Sequence, residues 1–223
     1  MKLAVLFSGG KDSVYSGYLA KKFGHELTCL ISIFSENKES YMFHTPSIKK
    51  VKTQAEVMDL SLIFQKTKGK KEEELKDLEK AIKLAIKKYK IKGIVTGAIQ
   101  SVYQSSRIQK ICNKLGIEVF NPLWQINEEE YLDDLLKNKF KMILTGVFAY
   151  PFDKDWLGKK INKEFVKEIK KLNEKYKISI IGEGGEFETF VLDCPLFKKE
   201  LKIKSFKDFK EGENSFRREI ELK

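Results

Sequence analysis

The sequence has few cysteines and no cysteine motif. Its three cysteines, Cys29, Cys112 and Cys194, lie far apart along 223 residues, and no Cys-x-x-Cys pair occurs. A structural zinc site, a disulfide framework and a paired-thiol redox site all need cysteines at short or repeated spacings. The sequence therefore argues against all three.

Long apolar runs are also lacking. No uninterrupted apolar segment approaches the ~20 residues that a membrane-spanning helix needs. The N-terminus enters a strand-like run directly, without the charged region and apolar stretch typical of a secretory signal. We therefore expect a cytoplasmic protein with no membrane partner.

Arginine is scarce although the chain is strongly basic. The net charge is +11, yet only three of the 43 basic residues are arginines: Arg107, Arg217 and Arg218. Proteins that read nucleic-acid sequence favour arginine, whose planar group bonds guanine and phosphate in pairs. A surface rich in lysine and glutamate is instead typical of thermophile proteins. We expect a solvated basic surface rather than a nucleic-acid partner, with weak attraction to an acidic macromolecule as the alternative.

Strand-like and helix-like segments alternate over the first part of the chain. The apolar runs that predict strands there are Leu3–Phe7, Glu26–Phe34, Leu60–Phe64, Gly93–Ala98 and Glu118–Phe120. Stretches with helical periodicity separate them. This alternation predicts an α/β fold with a doubly wound, mainly parallel, Rossmann-like sheet.

The alternation stops at Asn121–Trp124, which is the expected domain boundary. We predict a first domain over residues 1–122 and a smaller C-terminal α+β domain over residues 123–223. Predicted strands of the second domain include Ser179–Ile181 and Leu201–Ile203.

The first predicted strand ends on a glycine-rich loop that leads into a helix. The loop reads Ser8-Gly9-Gly10-Lys11-Asp12-Ser13. Adjacent glycines allow a sharp turn and close ligand approach, and a helix N-terminus offers N–H donors and a positive dipole end to an anion. Lys11 would add a mobile positive charge in a solvent-facing loop, and Asp12 could bind Mg²⁺. The pattern is neither a Walker A loop nor a dinucleotide fingerprint, and the alternative is a turn without a ligand.

Three further stretches combine polar residues with glycines or strand ends. Gly97–Arg107 follows the fourth predicted strand, where parallel sheets bind ligands, although an N-capped, exposed helix start would look similar. His44 stands alone in the loop after the second strand. Glu183, Glu186 and Glu188 crowd a turn with three glycines, so a metal, an ammonium ion or plain solvent would have to relieve their repulsion. The glycines favour a ligand.

These motifs occur in this order in one known family. From Leu3 to Phe197 the sequence resembles the diphthine–ammonia ligases, a branch of the PP-loop ATP pyrophosphatases. The matching motifs are Ser8–Ser13, His44-Thr45-Pro46, Gly97–Ile99 with Ser101, Tyr103, Gln104 and Arg107, Pro122-Leu123-Trp124, Leu157-Gly158, Glu183–Thr189 and Leu192–Phe197. Phe187 stands where the family commonly has tyrosine.

The resemblance implies an enzyme that amidates diphthine, a modified histidine of translation elongation factor 2. Such an enzyme consumes ATP and ammonium, uses Mg²⁺, and releases AMP and pyrophosphate. The implied ATP-binding residues are Ser8, Gly9, Gly10, Lys11, Asp12 and Ser13 at the phosphates, and Ile33, Gly97, Ala98 and Ile99 at adenine. The implied catalytic residues are Lys11, Asp12, Glu183, Glu186 and Glu188, with Asp12 on the metal. The implied substrate-binding residues are His44, Thr45, Ser101, Tyr103, Gln104, Arg107 and Thr189.

Arg107 invites a more specific prediction. Lysine is accepted almost everywhere in this chain that a positive charge is wanted, so an arginine after Gly97–Ile99 suggests that its planar fork is used. The fork could grip a phosphate or the carboxylate of the elongation factor with two parallel bonds. The alternative is a surface arginine that pairs within its own helix.

Two other functions fit part of the sequence. A PP-loop enzyme that modifies tRNA by adenylating a base oxygen would suit the +11 charge, but the missing Cys-x-x-Cys counts against its thiolating versions. A regulatory module that binds ATP without turnover is the third interpretation. The sequence leaves open whether the chain forms a homo-oligomer.

Overall fold

The computed structural model describes residues 1–35, 50–70 and 73–223. Their contacts divide the chain into two compact units. Unit 1 comprises Met1–Ser8 and Asp12–Gln125, and unit 2 comprises Gly9–Lys11 and Ile126–Lys223. Three residues of the glycine-rich loop are thus grouped with the C-terminal part of the chain.

Unit 1 contains a parallel sheet with the strand order β3-β2-β1-β4-β5. The strands are β1 (Lys2–Leu6), β2 (Glu26–Ser35), β3 (Ser61–Thr67), β4 (Gly93–Val95) and β5 (Glu118–Phe120). The helices are α1 (Lys11–Lys22), α2 (Val51–Met58), α3 (Glu73–Tyr89) and α4 (Val102–Leu115). The strand order reverses at β1, as in a doubly wound fold, which confirms the prediction for this part of the chain.

Both faces of this sheet are buried because its crossovers run in two directions. On one face Ala4, Cys29 and Ile31 form a core with residues of α3 and α4 such as Leu78 and Ile108. The alternate strand residues Leu3, Val5 and Leu30 point to the other face and are also fully buried. Right-handed crossovers place α1 and α2 on that second face, since they connect strands in the opposite direction.

Unit 2 is built on an antiparallel sheet with the order β7-β6-β9-β8. Its strands are β6 (Lys141–Val147), β7 (Phe187–Asp193), β8 (Ile203–Gly212) and β9 (Ser215–Leu222). The helices are α5 (Glu128–Lys137), the 3-10 helix Lys154–Trp156 and α6 (Lys163–Tyr176). Sheet and helices together confirm the predicted α+β class. No helix in the described part of the chain is both long and apolar enough to span a bilayer.

Two predicted strands of unit 2 are wrong. Ser179–Ile181 is a non-strand segment whose backbone donates to side-chain carboxylates instead of a neighbouring strand. The strand predicted at Leu201–Ile203 only begins at Ile203 and continues to Gly212 as β8. β8 is mostly exposed and rich in lysine, so its sequence lacks the apolar signal on which the prediction depended.

Candidate functional site

The glycine-rich loop joins β1 to α1 and has the conformation that its glycines suggest. Gly9 has a φ of 83°, in the left-handed region that favours glycine. The Ser8 amide donates to Ser13 Oγ at 3.2 Å, and the two hydroxyl oxygens lie 3.1 Å apart. α1 begins at Lys11, so its first-turn N–H groups and its positive dipole end lie at this loop.

A second loop of unit 1 lies against the start of α1. A Cβ on Gly97 would lie 2.8 Å from the carbonyl carbon of Asp12 and 3.0 Å from the Ser13 nitrogen. Only glycine allows the chain after β4 to come this close to the helix N-terminus. The structure therefore brings Gly97 together with Asp12 and Ser13, and Ala98 and Ile99 follow as buried residues.

The carboxyl end of β2 presents backbone groups at the edge of the sheet where the glycine-rich loop follows β1. The Phe7 amide donates to the Ile31 carbonyl at 2.8 Å, so the backbone groups of Ile31 face β1. Backbone direction alternates along a strand, so the N–H and C=O of Ile33 face the same side. The β1–β2 register ends at Leu6–Ile31, so these groups of Ile33 lie beyond the last paired residue of β1.

Lys11 is buried, which corrects the expectation of a mobile charge in a solvent-facing loop. Only 4% of the residue is exposed, and its Nζ lies 5.9 Å from the ring centroids of both Tyr131 and Phe187. Its backbone N–H donates to Thr189 Oγ1 at 3.0 Å, and the Gly9 carbonyl accepts from the Val191 amide at 3.1 Å. Residues 9–11 are thus bonded to β7 within unit 2.

The loop before α4 has a structural role that the sequence could not separate from a binding role. Ser101 is the N-cap of α4, and its Oγ accepts from the Gln104 amide at 3.3 Å. The Arg107 guanidinium stacks 3.5 Å above the Tyr103 ring, one turn earlier in the helix, and its Nη1 donates to the Tyr103 carbonyl at 3.5 Å. Ser101, Tyr103, Gln104 and Arg107 are all half-buried. Their assignment to a substrate stays a prediction.

His44 and Thr45 lie outside the described residues.

The turn that carries Glu183, Glu186 and Glu188, here called the acidic turn, does not bring its three carboxylates to one point. Glu183 is half-exposed, whereas Glu186 is only 8% exposed and its Oε1 accepts from the Ser179 amide at 2.8 Å. Side chains alternate along β7, so Glu188 points to the sheet face opposite Phe187 and Thr189, the two residues in contact with Lys11. No group of three or more histidine, cysteine, aspartate or glutamate side chains in the described ranges could hold a metal.

The glycines of this turn are explained by the protein's own contacts. Gly182 and Gly185 have φ values of 76° and 81°. A Cβ on Gly184 would lie 2.7 Å from Oε1 of Glu186. The backbone of the turn therefore favours glycine at 182 and 185, and a side chain at 184 would displace the Glu186 carboxylate, whether or not a ligand approaches the turn.

Glu188 has a strongly perturbed carboxyl group. Burial of the carboxyl raises its pKa to about 7, the Arg217 guanidinium opposes the rise, and Glu211 adds to it. Gly146 of β6 pairs with Glu188 on one side and with Arg217 on the other, and Arg217 Nη2 lies 3.1 Å from Glu211 Oε2. A carboxyl group with a pKa near neutrality is suited to accept a proton in catalysis.

Glu128 was not identified as a candidate functional residue from the sequence. It is the first residue of α5, and its two carboxylate oxygens accept from Ser179 Oγ and the Ile180 amide, each at 3.1 Å. In the sequence it is one of three consecutive glutamates after Asn127, which resemble an ordinary negatively charged first helical turn. Nothing there points to a segment about 50 residues later.

Comparison with known proteins assigns both parts of the chain to one protein family. Sequence models described as the diphthamide synthase N-terminal domain and C-terminal domain match residues 1–119 and 127–221. The chain is 34% identical to the diphthine–ammonia ligase of Bos taurus and 35% identical to that of Mus musculus, in each case over 92% of this chain and 84% of the relative. A solved structure of a predicted tRNA methyltransferase subunit from Methanocaldococcus jannaschii is 21% identical, with a TM-score of 0.44, and the match covers 90% of this chain and 99% of that one.

Proposed function

We propose that this chain, which belongs to the diphthamide synthase family, is a diphthine–ammonia ligase. It amidates the diphthine of translation elongation factor 2 with ammonium and ATP and releases AMP and pyrophosphate. The observation that carries the proposal is the match along nearly the whole chain, since both family domains and relatives named diphthine–ammonia ligase cover it.

The reaction needs two substitution steps, adenylation of the diphthine carboxylate and displacement of AMP by ammonia. A carboxylate oxygen attacks the α-phosphorus of ATP, the bond to the β-phosphate oxygen breaks, and pyrophosphate leaves. The nitrogen of ammonia then attacks the acyl carbon of the adenylate, and AMP leaves. Ammonium loses one proton before the attack and the new amide nitrogen loses another, so the enzyme needs groups that accept protons.

The described residues of unit 1 fit an adenine nucleotide. The N-terminus of α1, with Ser8 and Ser13 beside it, suits the phosphates, since N–H donors and the helix dipole both favour an anion. The backbone of Ile33, beyond the end of β1, and the loop Gly97–Ile99 suit adenine. Gly97 keeps this second loop against the first helical turn.

Asp12 would hold the Mg²⁺ that accompanies the phosphates. Mg²⁺ in nucleotide sites is commonly bound by one or two carboxylates plus phosphate oxygens and waters, so a single carboxylate at this helix N-terminus fits it. The ion would withdraw negative charge from the departing pyrophosphate.

Unit 2 supplies the carboxylates for ammonium. Glu186 is oriented by one bonded oxygen, and its Oε2 is buried with no hydrogen-bond partner among the described residues. An ammonium ion would give this oxygen an N–H donor. Glu188, whose pKa is raised to about 7, is suited to accept a proton, and Glu183 is half-exposed.

A thiolating tRNA enzyme is disfavoured by the state of the cysteines. Cys29, Cys112 and Cys194 are all buried, and burial raises the pKa of Cys29 to about 11 and those of Cys112 and Cys194 to about 12. Thiol chemistry uses the thiolate, and these environments suppress it.

One assay separates the three functions. Pyrophosphate and AMP release are measured with ATP, Mg²⁺ and ammonium chloride, adding diphthine-bearing elongation factor 2, the unmodified factor, or tRNA. We expect turnover only with the diphthine form, together with a mass change that corresponds to one amide per factor. Stimulation by tRNA would favour the tRNA-modifying alternative, and ATP binding without turnover would favour a sensor.

A further inference from the structure

The segment that precedes the acidic turn is held by carboxylates rather than by a strand. Ser179 donates through its amide to Glu186 Oε1 at 2.8 Å and through its hydroxyl to Glu128 Oε1 at 3.1 Å. The Ile180 amide donates to Glu128 Oε2 at 3.1 Å. One side-chain carboxylate from α5 and one from the end of the turn therefore bind two successive residues.

The Ser179 hydroxyl joins these bonds to the turn itself. Besides donating to Glu128, its oxygen accepts from the Ile181 amide at 3.3 Å and from the Glu183 amide at 3.2 Å. A hydroxyl has one donor and two acceptor positions, so these three bonds use all of them. A displacement of Glu128 would therefore be transmitted through Ser179 to the backbone of Glu183.

The same connections fix the direction of the Glu186 carboxylate. Its Oε1 is bonded to Ser179, and the backbone of Gly184 packs so closely that a Cβ there would lie 2.7 Å from that oxygen. Oε2 is buried and has no hydrogen-bond partner within the described part of the chain. A buried carboxylate oxygen without a donor is unfavourable, so an N–H group that reaches Oε2 would relieve this cost.

We propose that Glu128 and Ser179 are positioning residues that aim Oε2 of Glu186 at the ammonium substrate. The inference rests on the proposed function, since it concerns the ammonium step of that reaction. Neither residue needs to touch ammonium. Their effect passes through the Ser179–Glu186 bond and through the turn that carries Gly184.

The test compares Glu128→Gln and Ser179→Ala with Glu129→Gln. Glutamine at 128 keeps the size of the side chain but replaces one accepting oxygen with an NH₂ group, and alanine at 179 removes the hydroxyl. Glu129 is the matched control, because it lies next to Glu128 on α5 but is exposed and pairs with Lys170 at 2.7 Å. The KM values for ammonium chloride and ATP are measured at fixed pH with diphthine-bearing elongation factor 2, together with the Tm of each variant.

We expect both test variants to raise the KM for ammonium about fivefold or more, which corresponds to the loss of one hydrogen bond of ~1 kcal/mol. The KM for ATP should stay unchanged, and Glu129→Gln should behave as the parent chain does. An unchanged KM for ammonium in both test variants would overturn the inference, whatever happens to the Tm. An equal rise in both KM values would also overturn it, because it would indicate a general loss of structure.

A double-mutant cycle keeps the inference testable if one variant folds poorly. In a Glu186→Gln background, Ser179→Ala should add little to the KM for ammonium, since the group that it positions is already altered. If Ser179→Ala raised the KM for ammonium by the same factor in the parent chain and in the Glu186→Gln background, the inference would be contradicted. Failure of the proposed function itself would be visible separately, as the absence of diphthine- and ammonium-dependent turnover by the parent chain.

Discussion

At the scale of single residues, adjacent members of a motif have different surroundings. Lys11 and Asp12 are neighbours in the glycine-rich loop, yet Lys11 is buried against two aromatic rings while Asp12 is half-buried. The stem of Lys11 therefore contributes to packing within unit 2 as well as carrying a charge. A substitution that tests the charge of Lys11 must therefore retain a long apolar side chain.

Lys11→Met should separate the two roles. Methionine keeps a long, flexible apolar chain near Tyr131 and Phe187, so we expect a Tm close to that of the parent chain. Removal of the charge should raise the barrier to pyrophosphate release by about 2–4 kcal/mol, as for other groups that stabilise developing anions. Lys11→Ala should lose activity to the same extent and lower the Tm in addition, because it removes buried methylene groups. Near-normal pyrophosphate release by Lys11→Met would contradict a role for the charge at the phosphates.

Glu188 should make the stability of the fold depend on pH. Its pKa is raised to about 7 from a value of 4.5, so the folded state favours the protonated form. The contribution is fully present below about pH 4.5 and is lost as the pH rises through about 7. The Arg217 guanidinium lowers the pKa of Glu188 and the Glu211 carboxylate raises it, so both residues help to set the pH at which this contribution to stability is lost.

Glu188→Gln should therefore be more stable than the parent chain at pH 8, with the difference shrinking towards zero as the pH falls to 4.5. The measurement is the Tm of both proteins across this pH range. Glu219→Gln, an acid-to-amide change at an exposed position of β9, is the control and should show no such trend. A pH-independent difference for Glu188→Gln would mean that Glu188 does not titrate in this range.

At the scale of elements, β7 distributes its residues to two faces and one edge. Phe187 and Thr189 contact Lys11, Glu188 points to the opposite face, and the Val191 amide bonds Gly9. Phe187 and Thr189 therefore share one set of surroundings, while Glu188, which lies between them in the sequence, has another. The motif is continuous in sequence but does not form one cluster of side chains.

Thr189→Val should weaken the attachment of the loop to β7. Valine has nearly the same shape but leaves the Lys11 amide without the hydroxyl acceptor at 3.0 Å. We expect the free energy of unfolding to fall by about 1–2 kcal/mol and the KM for ATP to rise. Thr189→Ser keeps the hydroxyl and should retain the parental KM for ATP. If the valine and serine variants behave alike, the hydroxyl bond has no part in holding the loop.

The helix α4 gives Arg107 a contact within its own helix, the alternative considered from the sequence. The Arg107 guanidinium stacks on Tyr103 through its flat face, however, whereas its N–H donors point outward in the plane of the group. Stacking is therefore compatible with a bidentate hydrogen bond to an anion. Arg107→Lys should lower kcat/KM by about tenfold or more with little change in Tm. Both are measured on one preparation. Full activity with lysine would mean that Arg107 supplies its charge alone to the reaction, or nothing.

Much of the fold follows from local sequence signals, and the exceptions have physical causes. β1, β2 and β5 are apolar runs with turn residues at their ends, and they lie within a residue or two of the predictions. Ser179–Ile181 resembles a strand because it is apolar, but its donors bond to Glu128 and Glu186, contacts that no local pattern encodes. The glycine-rich loop was recognisable because its motif, Ser8–Ser13, is a run of consecutive residues. The burial of Lys11 was not, because Tyr131 and Phe187 are distant in sequence.

At the scale of the whole molecule, the basic charge is spread over both units. Several exposed lysines pair with carboxylates, among them Lys114 with Glu79 in unit 1 at 2.9 Å and Lys141 with Glu200 in unit 2 at 2.6 Å. Exposed pairs of this kind contribute roughly 0–1 kcal/mol each. That the basic surface is solvated rather than bound to a nucleic acid stays a prediction.

The three cysteines provide a test at the same scale, because the two units hold different thiols. Cys29 and Cys112 lie in unit 1 and Cys194 lies in unit 2, and all three are buried with pKa values raised to about 11 or 12. Iodoacetamide at pH 8 should therefore leave the native protein unlabelled and fully active, since alkylation needs an accessible thiolate.

In dilute urea the labelling should report the opening of each unit. Cys29 and Cys112 should be alkylated at the same rate, because one core contains both, whereas Cys194 should have a rate of its own. ATP with Mg²⁺ should slow labelling at Cys29 and Cys112, as expected for a ligand that binds the folded form of unit 1. Peptide mass spectrometry after quenching gives the three rates. Rapid labelling of any cysteine in the native protein, with loss of activity, would contradict the burial of these thiols and revive the thiol-dependent alternative.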